Sequence, residues 1–316
     1  MRAPRPRSGA AHVNPTPSRP SRQPVIRCPG PPFAGLHFVS LNHMKISLLH
    51  ATARRDEAVR CVERWYGEAS GDVHVEHLLC FDFDVPVTVR DDLLSRCRSA
   101  SRGKTILALP TGRRHSVEAW NHCAKSATGD VLVQLSDDML PDRHWDRKVL
   151  EYLDVEKPQL LGFAPASSYG DQGGLIALAI MTRPYYEQLG YFLYPIYPSV
   201  FSDNDLTQTA MLDDVLIDAY GKFSVLHDHD HHRDEVVRNQ NSREKWFIGH
   251  NIFQARKDVG FPSIRYRRYT NEPVDRLQAF HMFAEGRYAV YEKRNPDPHL
   301  RQKYAQYNGG RMNIEW

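Results

Sequence analysis

From Lys45 onward, short apolar runs alternate with segments of helical period, and this alternation limits the fold more than any other feature of the sequence. KISLLH, VHVEHLLCFD, KTILALP and VLVQLS read as strands. Between them, RDEAVRCVERWYGE carries Ala58, Val59, Val62 and Trp65 at helical spacing, DDLLSRCRSA reads as a shorter helix, and HSVEAWNHCAKSA as a helix ended by Gly129. Such a series predicts an α/β, Rossmann-like fold with a mostly parallel central sheet and helices on both faces.

Beyond Pro141 the pattern loosens. QLLGFAP and LIALAIMT look like strands separated by the polar, Gly-rich ASSYGDQGG. A Tyr- and Pro-rich stretch from Tyr185 to Pro198 follows, then FSDNDLTQTA, the strand-like KFSVLH, a histidine cluster and a late helix around SREKWFIGHNIFQARKD. Residues 1–43 are rich in Pro, Arg and Ser, lack an apolar period, and read as a disordered leader. MKISLLHATARR, beginning at Met44, looks like a natural start, so the leader is expected to be an over-extended reading frame, with an Arg-rich transit peptide as the rival reading. The expected organisation is a leader over 1–43, one domain over 44–270 with halves at 44–145 and 146–270, and an extension over 271–316.

The net charge is +3, but the first 43 residues carry six Arg and no acid, so the remainder is net −3. That gives no strong nucleic-acid signal. The longest apolar run, Leu175 to Met181, is too short to cross a bilayer. The five Cys (28, 61, 80, 97 and 123) are widely spaced and form no C-x-x-C, which suits a reducing cytoplasm better than a disulfide framework or a zinc knuckle.

The chemistry is expected where VLVQLS ends in Asp137 and Asp138. Ligands of parallel α/β sheets bind beyond the carboxyl ends of the strands, and hard oxygen donors there suit Mg²⁺ or Mn²⁺. The competing reading, a cap for the helix DRHWDRKVLEYL, falls better to Asp142.

The order of strand, HATARR, helix, strand ending CFD, SVEAWNHCAKSATGDVLVQLSDD and PDRHWD resembles the nucleotide-binding half of family 2-like glycosyltransferases with the GT-A fold. The likeness covers about Lys45 to Phe261, and SATGD stands where that family has an A-x-G-D turn. It implies a nucleotide-binding half over 44–145, an acceptor half over 146–270, a divalent ion on Asp138, and Asp137 against the ribose or sugar. Ser136 stands where the family often has a first Asp, one carboxylate fewer. The resemblance also places Ala51, Thr52 and Arg54, together with Asp82 (Asp84 being its rival) and Asn121, around the nucleoside. A carboxylate at Asp82 would accept a uracil imide N–H, and Arg54 would reach the diphosphate. Helix-capping roles for Thr52 and Arg54, a turn role for Asp82 and a buried structural amide at Asn121 are the alternatives.

In the second half, Asp203 stands where the family keeps an acidic pair, and the resemblance implies a general base there that takes the acceptor hydroxyl's proton. Asp205 would support it or start the helix, and Ser202 or Asp203 would also serve as an N-cap. In VLHDHDHHRDE, His227, His229 and His231 share one face of an extended chain, and the family supplies a metal-binding His from this region, His229 first and His227 second. Tyr185, Tyr186, Tyr191, Tyr194 and Tyr197 could form sugar platforms or simply pack, and Gly173-Gly174 resembles an acceptor loop.

The expected protein is a cytoplasmic enzyme, or one peripheral at a membrane. It would move a sugar from a nucleotide-diphosphate donor, UDP-linked by preference, to a glycan, lipid-linked or other hydroxyl acceptor. Inversion, an Asp base and Mn²⁺ or Mg²⁺ are expected. A metal-dependent phosphoester hydrolase or nucleotidyltransferase and a non-catalytic nucleotide-sugar-binding module are the alternatives.

Overall fold

The computed structural model describes residues 44–81, 86–101, 106–109, 115–162, 166–167, 176–219, 223–228, 242–258 and 261. Asp82, Asp84, Gly173, Gly174, His229, His231 and His232 lie outside the described residues, and so do the expectations placed on them.

The elements run β1 (Lys45–Thr52), α1 (Arg55–Gly67), β2 (His74–Phe81), α2 (Val87–Ala100), β3 (Ile106–Leu109), α3 (Ser116–Ser126), β4 (Val131–Leu135), β5 (Met139–Pro141) and α4 (Trp145–Tyr152). They continue with β6 (Leu160–Gly162), β7 (Ala166–Ser167), β8 (Ile180–Thr182), α5 (Arg183–Leu189), α6 (Ser202–Leu212), β9 (Leu216–Asp218), β10 (Val225–His227) and α7 (Arg243–Asp258). Seven strands form one sheet in the order β3-β2-β1-β4-β8-β6-β9. Among the described residues, β8 alone in this sheet runs against its neighbours, pairing antiparallel with β4 and β6, while the other pairings are parallel. The fold is the expected mostly parallel α/β sheet with helices.

Both faces of the central strands are apolar, as a sheet covered on both sides requires. Leu49, Ala51, Leu78, Cys80, Leu132 and Met181 join one core with residues of α3, α5 and α6. Ile46, Leu48, Val131, Val133, Leu135 and Ile180 face another with residues of α1 and α4, where Trp65 and Trp145 meet edge to face, centroids 4.7 Å apart. The alternation along β1 and β4 has the two-residue period of a strand.

At the amino-terminal edge of the sheet, the SATGD turn is locked by Glu76. That carboxylate accepts the Thr128 N–H at 2.6 Å and the Ser47 hydroxyl at 2.5 Å, and pairs with Lys45 at 2.6 Å. Burial alone would raise its pKa, but these donors bring it below the usual value. Gly129 is required by close approach: a Cβ there would lie 2.5 Å from Ser47 Oγ and 2.7 Å from Ser47 N.

A second, three-stranded sheet has the order β5-β10-β7. It accounts for one correction. Residues 139–141 pair as a strand with β10, so the chain stays extended through Pro141 and the next helix starts only at Trp145. Asp142 therefore does not cap that helix. His144 stands at the cap position in a left-handed conformation (φ 57°), and Asp142 pairs with Lys148 at 3.3 Å. Asp146, fully buried, instead accepts the Ser70 N–H and hydroxyl at 2.9 and 2.7 Å. Among the described residues no helix is long and apolar enough to cross a membrane.

Candidate functional site

Strand β1 has β2 on one side and β4 on the other, so the strand order switches direction between β1 and β4. In open α/β sheets, ligands bind at such a point, beyond the strands' carboxyl ends. Two segments meet there, the loop after β1 (Ala53, Arg54) and Ser136 to Asp138 after β4.

Asp137 is turned inward, 7% exposed. Its Oδ2 accepts the N–H groups of Ala53 and Arg54, both at 3.2 Å, and its Oδ1 lies 2.9 Å from His50 Nε2. A carboxylate has about four acceptor positions, so the protein itself uses most of this one. His50 Nδ1 in turn lies 2.9 Å from His77 Nε2. Both imidazoles are fully buried, and His77 stacks against Tyr66. Burial, reinforced by His50, pushes the His77 pKa well below its ordinary value.

Asp138 is the more open of the pair. Its Oδ1 accepts the Ser136 hydroxyl at 2.9 Å and lies 3.6 Å from His227 Nε2. Its Oδ2 accepts Arg54 Nη1 at 3.3 Å. Burial would raise the pKa of this carboxyl, but His227, Arg54 and Ser136 outweigh it and hold the group well below the usual carboxylate range. Asp138 is therefore an anion at neutral pH.

The register of the small sheet brings His227 to Asp138 across 89 positions of sequence. His227 pairs with Met139 in the antiparallel β5–β10 ladder, and the Asp228 N–H donates to the Asp138 carbonyl at 2.9 Å. The surrounding carbonyls are pinned as well: Trp120 Nε1 donates to Leu135 O and Trp65 Nε1 to Met139 O, each at 2.8 Å, and Cys61 Sγ to Ser136 O at 3.4 Å. These partners lie on α3 and α1, and nothing in the local sequence around the Asp pair announces them.

Among the described residues no three or more His, Cys, Asp or Glu side chains converge as a metal-holding group. Asp138 and His227 supply two donors, a hard oxygen and an imidazole nitrogen, a set compatible with Mn²⁺. A divalent ion held there needs further oxygens, which a diphosphate and water can provide.

The other expected residues divide. Ala51 and Thr52 are buried at the end of β1, and the Thr52 hydroxyl donates to Arg54 O at 3.2 Å within its own loop. Asn121 is half-buried and ties α3 to the chain after α5: its Nδ2 donates to Leu193 O at 2.7 Å, and its Oδ1 accepts the Phe192 and Leu193 N–H groups at 2.8 and 3.1 Å. Tyr185, Tyr191, Tyr194 and Tyr197 are at most 3% exposed, so they are core and not sugar platforms.

Asp203 lies in the first turn of α6, and burial raises its pKa above the ordinary value. Neither Ser202 nor Asp203 caps this helix, because Phe201 holds the cap position in a left-handed conformation (φ 72°). Ser202 Oγ turns back to Ser199 O at 2.8 Å, and Asp203 Oδ1 accepts the adjacent Asn204 N–H at 2.9 Å. Asp205 has a task that the sequence reading did not give it. Arg256 of α7 grips it through Nε at 2.5 Å and Nη2 at 2.9 Å, and Tyr197 donates to it at 2.9 Å. Arg256 is fully buried, its Cζ 3.7 Å above the Tyr194 ring.

No family model and no curated protein sequence matches the chain. Among solved structures, TarS 1–349 of S. aureus in complex with UDP-GlcNAc aligns with a TM-score of 0.54 at 11% identity, over 83% of this chain and 75% of that one. The longer S. aureus TarS structure aligns at 0.48 and 13% identity, and the chain spans 54% of its length. A Pyrobaculum calidifontis mannosyltransferase in complex with GDP-Man and Mn²⁺ aligns at 0.48 and 14% identity, over 82% of this chain and 79% of that one. With the strand order above, the likeness to TarS 1–349 shows an α/β fold of the GT-A kind.

Proposed function

We propose that this chain is a divalent-metal-dependent glycosyltransferase that moves a sugar from a nucleotide-diphosphate donor to a hydroxyl acceptor. The observation that carries the reading is the pairing of β5 with β10, which sets the ionised Asp138 beside His227 at the strand-order switch of a GT-A sheet. The ligand of the neighbour with the higher TM-score favours a uridine nucleotide.

In this reading Asp138 and His227, with His229 as a further candidate, hold Mn²⁺ or Mg²⁺. The ion, when bound, neutralises the charge that grows on the departing diphosphate. The chain's own residues do the rest. Asp137 fixes the loop after β1, so that Arg54 meets the nucleotide in one geometry, with Ala51 and Thr52 as the candidate floor of the nucleoside site beneath it and Asp82 as the candidate partner of the base. Asp203 accepts the proton of the acceptor hydroxyl as that oxygen attacks the anomeric carbon, which inverts the centre. Its raised pKa suits that task, since a stronger base takes a hydroxyl proton more readily. The acceptor class is a glycan, a lipid-linked sugar or another hydroxyl compound. We place the protein in the cytoplasm, where the buried Cys61, Cys80, Cys97 and Cys123, none of them in a disulfide, would stay reduced.

The test is thermal stabilisation by UDP and UDP-sugars with and without Mn²⁺, followed by donor consumption with and without candidate acceptors. Joint stabilisation by metal and diphosphate is expected. Stabilisation by neither would sink the reading, and release of sugar with no acceptor needed would point to a hydrolase.

A further inference from the structure

The Arg54–Asp138 pair sits on the carboxylate to which the proposed function assigns a metal ion. Arg54 Nη1 approaches Oδ2 at 3.3 Å, with the two side chains 16% and 11% exposed. The other oxygen, Oδ1, is shared by Ser136 and His227. A divalent ion on Asp138 therefore shares one carboxylate with a guanidinium, and two cations so close in a partly desolvated crevice repel strongly. The Arg54 main chain cannot relieve this, because its N–H and that of Ala53 are held by Asp137 Oδ2, each at 3.2 Å. Any relief has to come from the Arg54 side chain.

We infer that Arg54 and the metal ion exchange on Asp138. The guanidinium occupies Oδ2 in competition with the ion, and a nucleoside diphosphate resolves the competition by offering its own oxygens to Arg54. A guanidinium matches phosphate oxygens with two parallel hydrogen bonds, so a diphosphate gives it a better partner than a single carboxylate oxygen. Metal and diphosphate then bind synergistically: each is weak alone, and each raises the affinity of the other by the same factor. Arg54 is thus a diphosphate-binding residue that makes Asp138 selective for the ion in its diphosphate complex. The inference rests on the proposed function and deepens it.

The experiment titrates Mn²⁺ into the full chain and reads free Mn²⁺ by electron paramagnetic resonance, first without nucleotide and then with saturating UDP. Wild type, Arg54→Gln, Arg54→Lys and Asp138→Asn are compared, each checked for an intact thermal transition. Arg54→Gln is expected to bind Mn²⁺ alone about tenfold more tightly than wild type, because the competing charge is gone. Its synergy with UDP is expected to fall by a similar factor or more. Arg54→Lys, which keeps the charge, is expected to stay near wild type for Mn²⁺ alone, and Asp138→Asn to lose Mn²⁺ binding in both conditions. Equal or weaker Mn²⁺ binding by Arg54→Gln, with UDP synergy intact, overturns the exchange and leaves the proposed function standing. Absence of Mn²⁺ binding in wild type even with UDP overturns both.

Discussion

His50 Nε2 lies 2.9 Å from Asp137 Oδ1, and neither side chain is more than 3% exposed. The imidazole is thus the buried partner that keeps Asp137 aimed at the Ala53 and Arg54 amides. His50→Ala would leave a buried carboxylate without its side-chain donor, at a cost of about 2–4 kcal/mol. Over an ordered region of this size that is a drop in Tm of roughly 5–15 °C. Differential scanning calorimetry measures it, and a Tm unchanged within about 2 °C would remove the structural role assigned to the pair.

The neighbouring His77 makes stability depend on pH. Its folded pKa is depressed from 6.5, first by burial and then by His50. Below pH 6.5 the unfolded chain therefore binds a proton that the folded chain refuses. Stability from this group is complete above the unfolded pKa and falls as pH drops beneath it, by up to about 1.4 kcal/mol per pH unit until the folded pKa is reached. Urea unfolding at pH 7.5 and 5.5 (chosen to be about one unit either side of the unfolded value) would show wild type losing about 1 kcal/mol more than His77→Gln. Parallel losses in the two proteins would mean that His77 is protonated in the folded state.

Local pattern carried the sheet, because each central strand is buried on both faces and its apolar run is visible alone. The SATGD turn and the Asp pair were legible for the same reason: they close or end a strand. Pairings between distant residues were not. Nothing in FSDNDLTQTA says that Asp205 meets Arg256, 51 positions on, and nothing in LSDDM names His50, whose residue type alone does not say that it faces a carboxylate. The helix start at Trp145 is not legible locally, because a three-residue strand, β5, pairs with a partner that only the tertiary structure supplies.

Asp203 and Asp205 stand two residues apart and should respond in opposite ways. Asp205→Ala leaves Arg256 charged and buried without its bidentate partner, so a loss of about 3–5 kcal/mol is expected by chemical denaturation. Asp203→Asn removes no ion pair, so stability should change by less than about 1 kcal/mol. Turnover of the nucleotide-sugar should instead drop by about 10²–10⁴-fold while UDP binding persists. For wild type, kcat/KM should rise with pH along an acid limb whose midpoint lies above 3.8, since burial raises the pKa of the base that must be ionised. Normal turnover by Asp203→Asn would remove it as the base.

Gly249 connects α7 to the start of α6. A Cβ there would lie 2.6 Å from the Val200 carbonyl oxygen and 3.0 Å from the Phe201 ring, so the helix touches the chain three and two residues before the proposed base with no room for a side chain. The obstacle is backbone, which cannot rotate away as a flexible side chain would. Gly249→Ala must push α7 outward, loosening the packing of Phe201 on Trp246 and Phe253, whose ring centroids lie 5.4 and 5.9 Å from its own. The expected cost is about 1–3 kcal/mol of stability, with a fall in kcat larger than the change in the apparent affinity for UDP, since the displacement acts on Asp203 and not on the nucleotide loop. Gly67→Ala is the control, because a Cβ there meets nothing within 4 Å. If the two variants have the same Tm and kcat, the close approach of α7 to Val200 does not hold the base in place.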